Sequence, residues 1–207
     1  VQRGNSPAFP YFDVTRGDVP VNSVDVSYEA AKGIGYIKVS KFARNTYNEF
    51  ITAIAKLKQA GCTSFVIDLR GNTGGYMDAA INMINEFMPE GRLIVYTEGK
   101  SFPRSDVYAN GTGTCKDAPI VVLTDEISAS ASEIFSGAIQ DNDRGTIIGR
   151  RTYGKGLVQT QMSLSDGSEM RLTIARYYTP SGRCIQKKYE MGNTDAYDQD
   201  IYNRYMH

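Results

Sequence analysis

Residues 64–75 read SFVIDLRGNTGG, and this stretch gives the clearest indication of the fold. Its largely apolar first half, 64–69, is typical of a strand buried in a sheet, and a glycine-rich turn ends that strand. Residues 119–123, PIVVL, form a second such run, and a helical pattern follows each of the two. Strands that alternate with helices favour an α/β fold with substantial parallel pairing. Functional sites in such folds lie where strands end and helices begin, so the junctions after Leu69 and Leu123 are the candidate sites.

The remaining chain divides into short segments with strand or helix signals. We predict strands at 24–28, 35–39, 93–96 and 146–148, helices at 46–60, 77–88 and from the serine run to about 140, and a hairpin of 157–164 with 169–177. Residues 98–117 are expected to form a hairpin or an irregular excursion, and the tail after Gly182 is polar with no clear period. The prediction is one α/β domain with a mixed sheet, flanking helices and an added antiparallel hairpin.

Composition excludes several classes of function. Among 207 residues, 41% are apolar, and 23 basic residues balance 23 acidic ones. This balance gives no electrostatic reason to expect a nucleic-acid partner, and no apolar run approaches the roughly 20 residues that span a bilayer. Three cysteines without a CxxC spacing argue against a zinc site, and we expect no metal and no cofactor. An oxidising compartment would allow one bridge, Cys115 to Cys184; otherwise the thiols are inert.

The serine run 128–132 is a candidate nucleophile site with an unusual base. The only histidine is the last residue, His207, and a chain terminus is a poor place to hold the imidazole of a Ser-His-Asp or Cys-His site. Lys155, between two glycines, can serve instead, because Ser-Lys pairs are a known variant. A base must be neutral, so the lysine pKa of about 10.4 must fall to roughly 7–8, which predicts a buried Lys155. Gln159 would share its face of the following strand and orient the amine.

Backbone N–H groups near Ser130 are candidates for an oxyanion hole. Ser130 would lie at a helix N-terminus, where free N–H groups and the helix dipole favour developing negative charge. The N–H of Ala131 would point at the oxyanion, and Gly74 or Gly75 would add a second donor. Each piece alone has a simpler interpretation, since serines at helix starts are usually caps and surface lysines are usually solvated.

A phosphate loop is a competing interpretation of residues 149–155, which have the G-x-x-x-x-G-K spacing. Gly156 stands where Ser or Thr should hold magnesium, and residues 157–162 alternate like a strand rather than open a helix. Without a helix N-terminus the anion site is lost, so we do not predict nucleotide binding.

Four sequence blocks together resemble the carboxyl-terminal processing, or tail-specific, peptidases of the S41 family of serine proteases. They are Gly35-Tyr36-Ile37, residues 68–75, residues 128–134 with Gly137-Ala138 and Gln140-Asp141, and residues 154–159. The resemblance covers roughly residues 21–185 and implies a ClpP/crotonase-like core. It also implies Ser130 as nucleophile, Lys155 as general base and Gln159 as its support. Ala131 and a glycine of the 72–75 turn would be the oxyanion donors.

The resemblance carries further expectations about activity and domains. It implies a serine endopeptidase that cleaves near the C-terminus of extended protein substrates, in the periplasm or outside the cell, with an oligomer allowed. Residues 1–20 resemble the trailing edge of a PDZ-like domain and its linker, which leaves 21–207 as a peptidase core with a tail from about 183. Two other functions stay open on this fold: a catalytically silent peptide-binding module, and a crotonase-like enzyme acting on acyl thioesters without the Ser130–Lys155 pair.

Overall fold

The computed structural model describes residues 13–17, 21–189, 192 and 194–206. Most of the predicted PDZ-like edge and linker, and also His207, lie outside the described residues. The strands are β1 Val24–Ala31, β2 Ile34–Val39, β3 Ser64–Asp68, β4 Leu93–Gly99, β5 Phe102–Tyr108, β6 Ile120–Thr124, β7 Thr146–Gly149, β8 Leu157–Ser163 and β9 Glu169–Tyr178. The helices are α1 Thr46–Gln59, α2 Met77–Asn85, α3 Ala131–Asp141 and α4 Thr194–Met206.

The first sheet is mixed and has five strands in the order β1-β2-β3-β6-β7. β1 pairs antiparallel with β2, and the other neighbours are parallel, as the alternation of strands and helices predicts. Alternate side chains such as Ile37, Ile67 and Val122 are fully buried in one core with side chains of α1, α2 and α3. Phe87 lies in this core and makes edge contacts with three other phenylalanine rings. The core therefore holds β3 and β6, which carry the two candidate junctions, as rigid neighbours.

The second sheet is antiparallel and has the order β5-β4-β9-β8. The predicted hairpin at the C-terminal side is confirmed as β8 and β9, and residues 98–117 include the β4–β5 turn and β5. The two hairpins join through pairing of β4 with β9, at Tyr96↔Tyr178 and the next two pairs. The added hairpin is thus part of a four-stranded sheet.

Two helices differ from the prediction. α2 ends at Asn85, three residues before the predicted end at Met88, because Pro89 disfavours helical backbone at the residue before it. The tail, which has no apolar period, nevertheless forms α4. Its described side chains lack a buried apolar stripe, so the periodicity that reveals most helices is missing.

The cysteines are unpaired. Cys62 and Cys115 are buried, Cys184 is exposed, and all three thiols are free. The bridge between Cys115 and Cys184 that an oxidising compartment would allow is therefore absent. Within the described ranges, the helices lack the combination of length and apolar character needed to cross a bilayer.

Candidate active site

The two predicted junctions lie side by side. β3 and β6 are parallel neighbours with Asp68 opposite Leu123, so their carboxyl ends meet at one edge of the sheet. A Cβ atom added to Gly74 would lie 2.8 Å from the Cβ atom of Ser130 and 3.0 Å from the backbone nitrogen of Ala131. The glycine turn and the serine run therefore form one site.

Asn72 fixes the glycine turn against the serine run. Its buried side chain donates to the Val39 carbonyl (2.9 Å) and accepts the Gly74 N–H (2.8 Å). The backbone carbonyl of Asn72 accepts the Ala129 N–H at 3.0 Å and the Ser132 hydroxyl at 2.9 Å. One residue thus connects β2, the turn and the start of α3. Asn72 has no role of its own among the residues predicted from the sequence.

The three serines of the run have different environments. Ser128 and Ser132 are fully buried, and their hydroxyls donate to the carbonyls of Leu69 and Asn72. Ser130 is only half-buried and lies at the N-cap of α3, as predicted. Its backbone has φ 56° and ψ −111°, a conformation that costs a residue with a side chain about 1–3 kcal/mol and is found at sites where the surroundings impose it. Ser130 is therefore the serine of this run that a reactant can approach.

The predicted oxyanion donors differ in availability. Ala131 is the first residue of α3, so its N–H has no intrahelical acceptor, and none of the described groups accepts it. The Gly74 N–H is already donated to Asn72. Gly75 is exposed, and its N–H lacks an acceptor within the described part of the chain. Its Cβ would lie 2.0 Å from the Phe42 carbonyl oxygen. The two free donors are therefore those of Ala131 and Gly75.

Glu133 connects the serine run to the lysine segment, which is defined as residues 152–156. Its buried carboxylate accepts four hydrogen bonds. One oxygen accepts the backbone N–H groups of Ser130 and Lys155, both at 2.8 Å. The other accepts the Gly154 N–H at 2.6 Å and the Thr152 hydroxyl at 2.8 Å. Two nitrogens that bind one oxygen lie no more than twice 2.8 Å apart, so the backbones of Ser130 and Lys155 are held together. The S-x-x-E spacing of a capping box is the sequence signal for the contact between Glu133 and Ser130.

The side chain of Lys155 is exposed, so the prediction of a buried lysine is wrong for the chain as described. Gly154 and Gly156 on either side are buried against residues 185–187, whereas Lys155 between them is exposed. Lys155 therefore points away from the packed side. Gln159 in β8 is exposed as well. β8 begins at Leu157 without a helix after Lys155, in agreement with the case against a phosphate loop.

A charged cluster lies at the base of the glycine turn. The side chain of Asp68 is 2% exposed and accepts the Tyr36 hydroxyl at 2.5 Å and the Arg70 guanidinium at 2.7 Å. Lys38 is 3.4 Å away. Burial alone would raise the pKa of Asp68, but the hydrogen bonds from Arg70 and Tyr36 and the charge of Lys38 outweigh it and lower this pKa to about 2. Burial and the adjacent Asp68 raise the pKa of Tyr36 to about 12. This cluster is not among the features predicted from the sequence.

Comparisons with known proteins place the chain among peptidases. Residues 33–195 match the family described as Peptidase family S41, so the chain belongs to that family. A carboxyl-terminal-processing protease of Synechocystis is 38% identical over 179 residues, which cover 85% of this chain and 42% of the relative. The chloroplastic C-terminal processing peptidase of Tetradesmus obliquus is 38% identical over 76% of this chain and 34% of the relative.

A solved structure supports the same placement. The photosystem II D1 C-terminal processing protease matches with a TM-score of 0.69 and 38% identity over 74% of this chain and 40% of that one. The resemblance to the carboxyl-terminal processing peptidases and the fold expected from it are thereby confirmed. The chain spans well under half the length of these relatives.

Proposed function

We propose that this chain is the catalytic core of a serine endopeptidase that cleaves near the C-terminus of protein substrates. Ser130 is the nucleophile and Lys155 is the general base. The observation that carries the proposal is the Glu133 carboxylate, one oxygen of which binds the backbone N–H groups of both residues at 2.8 Å. The strained backbone and partial exposure of Ser130, and the free N–H of Ala131 beside it, support the same assignment.

The proposed reaction is acyl transfer in two steps. The neutral Lys155 amine takes the hydroxyl proton of Ser130 as its Oγ atom attacks the peptide carbonyl carbon. The N–H groups of Ala131 and Gly75 stabilise the oxyanion that forms. The C–N bond then breaks, and the Lys155 ammonium gives its proton to the departing amine. Water attacks the ester by the same route, which releases the acid product and restores Ser130.

Lys155 is exposed, so we propose that the bound substrate excludes water from the Lys155 amine. An extended peptide bound beside Lys155 and Gln159 would remove water from the ammonium and favour its neutral form. Gln159 would then orient the amine. β8 is the last strand in its sheet, so the peptide would pair with its open edge, a mode that reads backbone more than sequence.

Three broader expectations belong to this proposal. The substrate is a protein with small or apolar residues near its C-terminus, and the site is in the periplasm or another extracytoplasmic space. Residues 1–20 are the trailing edge of a PDZ-like domain that would capture that C-terminus. The chemistry requires no metal or cofactor.

A fluorophosphonate probe tests the assignment, because it labels a serine only when that hydroxyl is activated. We expect labelling of Ser130 in the unaltered chain and none in Ser130→Ala. The labelling rate in Lys155→Ala should fall by at least about 100-fold, since general bases typically contribute 10²–10⁴-fold. Ser105→Ala and Lys100→Ala remove exposed residues of the same types and should leave labelling unchanged. An unchanged rate in Lys155→Ala would reject the lysine base.

A catalytically silent peptide-binding module is the second candidate, and the exposure of Lys155 is the observation that favours it. Such a module would capture an unfolded C-terminal peptide at the same edge of the sheet. It would neither be labelled at Ser130 nor cleave the peptide at any pH. That combination of results would establish the module in place of the enzyme.

A further inference from the structure

We infer that part of the polar tail is a clamp that positions Lys155, with Gln186 and Arg204 as its positioning residues. The tail clamp is defined as residues 185–187 together with Arg204 of α4. This inference rests on the proposed function, because it concerns the placement of the proposed base. It adds residues that act on Lys155 from the side opposite to Glu133.

The first part of the tail clamp runs directly behind the lysine segment. The Lys187 N–H donates to the Gly154 carbonyl at 2.9 Å, and the Gly156 N–H donates to the side-chain oxygen of Gln186 at 3.0 Å. A Cβ atom on Gly156 would lie 2.4 Å from the backbone nitrogen of Gln186, and one on Gly154 would lie 2.8 Å from the Cβ atom of Lys187. The two glycines that flank Lys155 are therefore required for this close approach.

The second part reaches the site through Thr152. The Arg204 guanidinium donates to the Thr152 carbonyl at 2.7 Å, and the Thr152 hydroxyl donates to Glu133 at 2.8 Å. A chain of two hydrogen bonds therefore connects α4 to the carboxylate that holds Ser130 and Lys155. Removal of the guanidinium would release the residues immediately before Gly154 from the tail.

α4 is attached to the rest of the clamp by polar groups along one side of the helix. The Tyr197 carbonyl accepts the Lys187 ammonium at 2.6 Å, and the Tyr197 hydroxyl accepts the Gln186 amide at 3.1 Å. The Lys187 side chain is only 5% exposed, and its ammonium lies 3.6 Å from Asp200 and over the Tyr197 ring. Positions 197, 200 and 204 follow the spacing of one helix face, so the helix and residues 186–187 form one unit.

The α4 part of the tail clamp is attached through hydrogen bonds and ion pairs rather than through apolar packing. A cavity of about 920 Å³ lies between α4, α3 and residues 149–154, and none of the described α4 side chains is buried. At the other end of the clamp, Ile185 packs against the core. The lysine segment is thus held between the Glu133 carboxylate and the Gln186 and Lys187 contacts. A displacement of about 1 Å at such a segment can cost on the order of 100-fold in rate.

Gln186 offers a matched pair of variants. Gln186→Ala removes the oxygen that accepts the Gly156 N–H, whereas Gln186→Glu keeps an oxygen there. We expect amide hydrogen exchange at Gly156 to be about tenfold faster in Gln186→Ala. Fluorophosphonate labelling of Ser130 should be about 10–100-fold slower in the same variant. Gln186→Glu should lie within about threefold of the unaltered chain in both measurements, and so should Gln161→Ala, which removes an exposed glutamine of β8.

The two measurements separate the possible failures. Unchanged exchange at Gly156 in Gln186→Ala would overturn the clamp, and faster exchange with unchanged labelling would overturn its positioning role. If Gly156 behaves as expected while Ser130 of the unaltered chain takes no label, the proposed function fails and the clamp contact stands. Arg204→Ala should slow labelling as Gln186→Ala does, with partial recovery in Arg204→Lys, which retains a charged donor. Equal rates in Arg204→Ala and the unaltered chain would remove α4 from the positioning unit.

Discussion

The Glu133 carboxylate accepts four hydrogen bonds at the site, and its charge explains why. A carboxylate has only acceptor oxygens, and here four donors from three positions in the lysine segment and one in the serine run surround it. Hydrogen bonds to an ionised acceptor are about twice as strong as those between neutral groups. The four donors also compensate the cost of burying the charge, which would otherwise be several kcal/mol. A single buried carboxylate can therefore hold two loops that are distant in sequence.

The surroundings of Gly74 leave no room for an added methyl group. A Cβ atom there would lie 2.6 Å from the Ala129 carbonyl oxygen and 2.8 Å from the Cβ atom of Ser130. Its φ of +99° is unfavourable for a side chain as well. We expect Gly74→Ala to displace Ser130, lower the free energy of unfolding by about 2–4 kcal/mol and abolish fluorophosphonate labelling. Chemical denaturation and the labelling rate measure the two effects.

Gly61→Ala is the control for the backbone part of that effect. Gly61 has a similar φ of +93°, and nothing lies within 4 Å of its added Cβ atom. This variant should lose about 1 kcal/mol and retain full labelling. A Gly74→Ala variant that resembles Gly61→Ala in both measurements would show that the turn and Ser130 are not in close contact.

Among the elements, a charge network around the buried Asp68 carboxylate connects β2 with the end of β3. Asp68 ends β3, while Tyr36 and Lys38 are neighbouring positions on the same face of β2. Arg70 binds the same carboxylate from the start of the glycine turn. The network therefore sets where β3 ends and the turn that carries Gly74 begins.

This network predicts a specific loss of stability in acid. The pKa of Asp68 falls from 3.8 to about 2 on folding, so its contribution is fully present above about pH 4 and is lost as pH falls towards 2. A shift of this size corresponds to about 2 kcal/mol. Asp68→Asn should be less stable than the unaltered chain at pH 7, and the difference should shrink by about this amount at pH 2. Urea denaturation across this range measures the difference.

Asp117→Asn, at an exposed position, is the matched control for the loss of a carboxylate. It should follow the pH dependence of the unaltered chain. A constant difference between Asp68→Asn and the unaltered chain from pH 7 to pH 2 would mean that Asp68 is not stabilised as a carboxylate by its neighbours.

At the scale of the whole molecule, sequence reasoning succeeded where local chemistry decides the structure. Apolar runs and glycines placed the ends of β3 and β6, and the geometry of parallel strands then required these ends to meet. The prediction that Ser130 begins a helix succeeded for the same reason. The S-x-x-E spacing is a local signal for the link between Ser130 and Glu133 that the sequence predictions did not use. The donors at 152, 154 and 155 come about twenty residues later and required the fold.

Sequence reasoning failed where a neighbour distant in the chain decides the outcome. Strand alternation predicts one face for Lys155 and Gln159, but it does not show whether anything covers that face, and both residues are exposed. α4 escaped prediction because it docks through Tyr197, Asp200 and Arg204, and polar contacts leave no hydrophobic period. The sequence therefore predicts which groups come together more reliably than which of them are buried.

The two sheets make a final prediction, because the first is covered by a core and the tip of the second is not. Ile67 of β3 is fully buried, so Ile67→Ala should lower the free energy of unfolding by about 2–5 kcal/mol. Leu172 of β9 is 46% exposed, and its neighbours along β9, from Glu169 to Thr173, are exposed too. Leu172→Ala should therefore cost only about 0.5 kcal/mol.

Hydrogen exchange extends this contrast from side chains to the backbone. The pairing of β8 with β9 beyond Gln159 lies outside the core, so its amides should exchange through local opening, faster than those of β3 and β6. β3 and β6 amides should exchange only through global unfolding, and Ile67→Ala should accelerate them by the factor that corresponds to its loss of stability. Leu172→Ala should accelerate exchange in the hairpin alone. If it accelerates β3 and β6 equally, the hairpin and the core unfold as one cooperative unit and the division drawn here is wrong.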